Sequence, residues 1–208
     1  MVFAVGVIGG LPVGQALILG AVAGAVSGVV ANAMIQSRSM SAAEIECAKQ
    51  VFSSELPYEN VMLTNLSGLG DRAFTAPGVD GKTYCNLGKG FYNTLGAGSG
   101  SYPAEGQLMI HELTHAWQIA HNSFIPGFMC SGIVNQTNYL MGDDVYAYGV
   151  AGPPWSSFNL EEQGAIVDQW FGGSQNPGGA MNKTSNPYYQ YISRNILTGA
   201  GGYSTSWA

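Results

Sequence analysis

Apolar positions fall into two regimes along this chain. From Ala16 to Ile35 small apolar residues run almost without a break, and beyond residue 40 they recur at the spacings of helices and strands. Ile45, Ala48, Val51 and Phe52 share one face of a predicted helix over Ser41–Leu56. Ser41 and Glu44 stand three residues apart, as a capping box requires, and Pro57 is expected to end the helix. Asn60–Leu66, Arg72–Thr75 and Lys82–Leu87 are short runs between Gly, Asp and Pro, and they predict the strands of a small antiparallel sheet. Gly88–Gly100 is a glycine-rich loop. A second helix is predicted from about Pro103 to Asn122, around the stretch 107–118, where Met109, Leu113, Ala116, Trp117 and Ala120 form an apolar back face. Pro103 suits its first turn and Asn122 its end. Phe124–Tyr148 is irregular and carries Tyr139, Tyr146 and Tyr148, suited to a wall or lid beside a site. A third helix covers Phe158–Phe171, with Asn159 as its cap and Glu162 three residues on. The fold class is therefore α+β.

Charge changes the picture at the start of the chain. Residues 1–37 carry no charged side chain, and Arg38 is the first. Gly20, Gly24 and Gly28 recur at four-residue spacing, which lets helices approach closely. The run is long enough to span a bilayer, yet Ala and Gly are weakly hydrophobic and no positive region precedes it. Membrane contact of residues 3–35 and burial by protein are equally supported. A boundary is expected near Ser39, with an apolar glycine-rich segment at 1–38 and a folded domain at 39–208.

The whole chain has 208 residues, 10% of them charged, and a net charge of −6. It is long enough for one domain with a sizeable core, and no basic patch points to nucleic acid. Three cysteines, Cys47, Cys85 and Cys130, are widely spaced with no CxxC pair, which argues against a cysteine zinc site.

The chemistry concentrates in His111-Glu112-Leu113-Thr114-His115. Residues four apart share a helix face, so two imidazoles can hold one ion. Glu112 stands beside them as a candidate general base. Two of the chain's three histidines fall in this pattern, which favours one Zn2+ per chain over a chance match. The third ligand has two candidates. Glu161, Gly164, Ala165 and Asp168 share a face of the third helix, whose small residues permit close approach to the HExxH helix. Glu161 can then reach the ion, and Asp168 can orient a ligand histidine from behind. Glu162 is the competitor, but capping already accounts for it. His121 lies six residues after His115, the metzincin spacing. That arrangement needs a glycine where this chain has Gln118, so a continuing helix would carry His121 off the site. Glu161 is preferred.

The run His111 to Gln118, followed some fifty residues later by Asn159–Asp168, resembles the zincin metallopeptidase toxin domains of bacterial polymorphic toxins. Those domains are carried by type VI secretion spike and Rhs proteins. The resemblance spans roughly Val61 to Phe171. It implies a zincin-like metallopeptidase with two active-site helices, zinc on His111, His115 and Glu161, and Glu112 as general base. It also implies a cognate immunity protein, a spike or Rhs carrier, and delivery into a target cell, the periplasm included. One departure is that these 208 residues include no spike or Rhs core, as expected of a fragment, a released toxin domain or a stand-alone protein alike.

The expected activity is hydrolysis of a protein or peptide substrate, with Tyr146 or Tyr148 as candidates for oxyanion or substrate contact. Two alternatives stand beside it: a membrane-perturbing toxin acting through the glycine-spaced segment, and a metzincin-type site with His121 as third ligand.

Overall fold

A computed structural model describes residues 35–68, 71–78, 80–93, 102–121, 144, 146–172 and 184–200. The run 16–35 (its last residue apart), most of the 124–148 loop with Tyr139, and both Asn122 and Cys130 lie outside the described residues. No helix among the described residues is long and apolar enough to cross a membrane.

The described chain is α+β. In order it forms β1 (Ser37–Ser39), α1 (Ala42–Phe52), β2 (Val61–Thr64), β3 (Phe74–Pro77), β4 (Thr83–Asn86), α2 (Gln107–Ala120), α3 (Leu160–Gly172) and α4 (Tyr189–Arg194). β1 straddles the boundary expected near Ser39. Its Arg38 grips Glu44 of α1 with two 2.8 Å hydrogen bonds. Glu44 also accepts from the Ser41 main-chain N–H at 2.7 Å, completing the capping box. α1 stops at Phe52, short of Pro57, because Ser53 takes a positive φ of 48° and closes the last turn onto Lys49.

The strand order is β1-β2-β4-β3. The expected antiparallel sheet is in fact mixed: β2 and β4 run parallel, while β1–β2 and β3–β4 are antiparallel. Pro77 gives the physical reason. Lacking an N–H, it confines β3 to an edge, so β4 folds back inside and lies beside β2, running in the same direction.

α2 packs against β3 and β4 on one side and α3 on the other. Only Leu108 and Ala120 of its residues escape full burial. The expected single apolar back face is thus an all-round buried helix, and its polar residues must be paired inside the protein. Its apolar side packs Ile110, Leu113 and Trp117 into one core with Phe52, Leu63, Ile166 and Phe171. Pro103 stands outside the helix, correcting the expected start. Gly106 opens it instead, at a left-handed φ of 78°. A Cβ there would also lie 3.2 Å from Cys47 Sγ, so glycine answers both demands. Cys47 and Cys85 are free thiols.

Candidate metal centre

α2 presents His111 and His115 one turn apart, with their Nε2 atoms 3.2 Å from each other. α3 supplies the third group. Asn159 and Glu162 cap it reciprocally: Asn159 N–H donates to Glu162 Oε2 at 2.7 Å, and Glu162 N–H donates to Asn159 Oδ1 at 2.9 Å. With Glu162 committed to the cap, Glu161 faces α2. Its Oε2 lies 3.3 Å from His111 Nε2 and 3.5 Å from His115 Nε2. One donor atom each from His111, His115 and Glu161 lie within 4.8 Å of one another, a grouping that can hold a metal ion.

The close approach of α3 depends on Gly164. A Cβ at that position would lie 2.7 Å from His111 Cε1. Gly164→Ala is therefore expected to push His111 or the whole of α3 aside. The cost should be about 1–3 kcal/mol in stability, from overpacking, with a parallel loss of metal affinity. Thermal melts and metal titration of the variant check this, and unchanged values would show that the helices have slack.

Asp168 Oδ2 lies 2.7 Å from His111 Nδ1. The same carboxylate accepts from the Tyr102 hydroxyl at 2.9 Å and from Gln107 Nε2 at 3.3 Å. Three donors thus fix one carboxylate, and the carboxylate orients the ring. Glu112 is buried and its Oε2 accepts from Thr75 Oγ1 of β3 at 2.7 Å. Thr75 Oγ1 also lies 3.0 Å from the Glu112 carbonyl.

Burial works against charge on His111, but hydrogen bonds from its ring to the Asp168 and Glu161 carboxylates outweigh it and hold its pKa well above the ordinary 6.5. His115 is raised too, burial being overcome chiefly by the charge of Glu161. Burial opposes ionisation of Glu161 as well, yet the two imidazoles hold it well below the usual carboxylate range. Burial pushes Glu112 up, with only partial offset from His115, His111 and Thr75. These shifts carry a sign for metal binding. Imidazoles with raised pKa values give up their protons at higher pH than usual, and an incoming ion must displace any that are still held. Apparent affinity is expected to rise with pH through the folded histidine values, with about one to two protons released per ion near neutrality. Calorimetry in buffers of different ionisation enthalpy reads that number. Binding without proton release would show that both histidines already stand neutral in the metal-free protein.

The remaining candidates are placed as follows. The Tyr146 ring lies 5.9 Å from the His111 ring. Its hydroxyl accepts a hydrogen bond from Arg72, whose guanidinium sits 5.0 Å over the ring. Tyr148 is turned elsewhere: its hydroxyl donates to Gln169 Oε1 and its ring meets Tyr188 edge-on. His121 is not brought to the group. It caps α2, and its Nε2 lies 2.9 Å from the Glu55 carbonyl. Because α2 runs on through Gln118, Ile119 and Ala120, His121 is carried to Glu55, in the turn that follows α1. Sequence reasoning missed Thr75, Tyr102, Gln107 and the role of Gln118. Thr75, Tyr102 and Gln107 reach the site through tertiary contacts that no local pattern marks, whereas Gln118 meets His115 three residues earlier on the same helix.

No protein-family model matches the chain. It is 30% identical over 138 residues to the type VI secretion system spike protein VgrG2b of Pseudomonas aeruginosa, a match covering 64% of this chain and 13% of that protein. The chain thus spans a small part of the relative's length. The solved effector domain of Pseudomonas aeruginosa VgrG2b is 29% identical, with a TM-score of 0.48, over 76% of this chain and 87% of that one.

Proposed function

We propose, from this similarity to a type VI secretion spike protein and its effector domain, that the chain is a type VI toxin effector delivered into a target cell. We further propose that its domain is a zincin-like, zinc-dependent metallopeptidase. The observation that carries the second reading is the meeting of His111, His115 and Glu161 with Glu112 on the adjoining helical position. Two imidazoles and one carboxylate are a donor set suited to one Zn2+ with a position left for water. A zinc ion held there would acidify that water and polarise a carbonyl.

The chain's own residues account for the rest. His111 and His115 offer Nε2, and Asp168 and Gln118 hold the opposite ring nitrogens at 2.7 and 2.8 Å. Glu112, held by Thr75 through one carboxylate oxygen, takes the proton of the attacking water and passes it to the leaving amine. Its raised pKa suits a group that must carry a proton between those steps. Tyr146, braced by Arg72 beside His111, is proposed to donate to the developing oxyanion. A spike carrier follows from the spike relative, and an immunity protein in the producer belongs to the same proposal. The apolar glycine-rich segment is proposed as a separate unit ahead of the catalytic domain, in contact with membrane or protein.

The test is elemental analysis of the purified full chain after dialysis. It is paired with hydrolysis assays on an unstructured protein and on cell-wall stem peptides. One zinc per chain and chelator-sensitive hydrolysis of one of these are expected. Purified protein without stoichiometric zinc would sink the peptidase reading.

A further inference from the structure

The two histidines are backed by different partners. His111 rests on the Asp168 carboxylate, whereas His115 Nδ1 meets a neutral amide, Gln118 Oε1, at 2.8 Å. An amide can turn either end towards a ring nitrogen, and an imidazole can carry its proton on either nitrogen, so the sense of this contact needs an external reference.

The chain of contacts behind Gln118 supplies one. Gln163, on α3, directs Nε2 at two main-chain carbonyls, Trp155 at 3.1 Å and Phe158 at 3.2 Å. A carbonyl can only accept, so the NH2 end of Gln163 must face them. Its Oε1 is then turned to Gln118, whose Nε2 donates to it at 2.8 Å. Gln118 Nε2 also donates to the Leu160 carbonyl at 3.2 Å. Gln118 Oε1 is left facing His115 and can only accept, so Nδ1 carries the hydrogen. The Nε2 of His115 is thereby directed to His111 and Glu161. Both glutamines are fully buried, so no water is at hand to repair a reversed amide.

We propose that Gln118 and Gln163 are positioning residues forming a directional amide relay, through which the carbonyls of Trp155, Phe158 and Leu160 select the nitrogen that His115 offers to a metal ion. The relay rests on the metal reading above for its purpose, but its polarity can be read without metal. One short stretch, 155–163, then has two duties. It starts the helix that carries Glu161, and it sets the donor atom of a histidine some forty residues earlier. α3 must be docked before His115 is correctly presented, so folding and ligand selection are coupled.

Two measurements on the full chain test the relay. The first uses metal-free protein. The His115 Nδ1–H should give a downfield, exchange-protected proton resonance, identified by its disappearance in His115→Gln. It should vanish in Gln118→Met and exchange faster in Gln163→Met. The second is zinc affinity by chelator competition. Gln118→Met is expected to lose about 10- to 100-fold, and Gln163→Met about tenfold although it touches no candidate ligand. The double variant should lose no more than Gln118→Met alone, because Gln163 acts only through Gln118. Gln118→Glu keeps an oxygen facing Nδ1 but sets a second oxygen against Gln163 Oε1 and the Leu160 carbonyl, so it should recover little of the affinity lost in Gln118→Met, and full recovery would overturn the relay. A purely structural role for the glutamines predicts losses that multiply in the double variant, and that result overturns the relay. So does a wild-type resonance and affinity in Gln163→Met. Should Gln163→Met fail to fold, the Gln118→Glu and Gln118→Met pair decides alone. A wild-type chain that binds no zinc would remove the metal reading, and the proton resonance would still accept or reject the relay.

Discussion

Glu112→Ala is expected to keep one zinc per chain and to lower hydrolysis by about 10²–10⁴-fold, the range of a positioned general base. Glu112 is not among the grouped ligand atoms, so its loss should spare metal binding. The residue is 3% exposed, and burial raises its pKa, so charge at that position is disfavoured in the folded protein. Removing it should leave the melting temperature unchanged or raise it, the opposite of what a structural carboxylate would do. Thr75 then loses one acceptor but keeps the main-chain carbonyl of residue 112 at 3.0 Å, which limits the damage. Activity, zinc content and melting temperature measured on one preparation separate the outcomes. Full activity in the variant would remove Glu112 from the chemistry. Loss of zinc together with activity would point to a collapsed site instead.

The second large effect belongs to the third ligand. Glu161→Gln should strip the site of stoichiometric zinc on dialysis, because a carboxylate's charge leaves the grouping while its shape remains. The Glu161 Oε2 stands 3.3 and 3.5 Å from the two Nε2 atoms, with no other described acid in that grouping. His121→Ala should keep its zinc, since His121 is engaged with the Glu55 carbonyl and packs against Trp117 at a ring distance of 4.8 Å. Asp168→Asn should fall between them, with about 10- to 100-fold loss of affinity, as for other groups that orient a metal-bound histidine. Zinc stoichiometry of the three dialysed variants is the measurement. If His121→Ala lost zinc while Glu161→Gln kept it, the ligand set would be wrong and the metzincin spacing right.

Much of this arrangement is local, and local chemistry is legible in a single chain. A 3.6-residue period puts His111 and His115 on one face whatever surrounds them. The two capping boxes, Ser41 with Glu44 and Asn159 with Glu162, close within three residues and need no tertiary help. The second of them also separates two adjacent glutamates: the one used as a cap is unavailable, and its neighbour is left to face α2. The glycine and alanine at 164 and 165 announced a close helix contact, and Gly164 stands where a Cβ would strike the His111 ring.

What the sequence by itself determined, then, was the three long helices, three of the four strands, the histidine pair and the face carrying Glu161 and Asp168, while β1 and α4 carried no signal that was read. The features so determined depend on hydrogen bonds and side-chain spacings spanning a turn or two of helix. Tertiary structure decided the rest. Whether β2 and β4 run parallel depends on where β3 finds an edge for Pro77. Whether α2 is half-buried or enclosed depends on both the sheet and α3 arriving on it. Thr75, Tyr102 and the Gln118–Gln163 relay join the site across 37, 66 and 45 residues of chain. Their side chains are ordinary polar groups with no periodic signature. Only the burial of the helices they meet obliges each of them to find a particular partner, because an unpaired polar group there is costly.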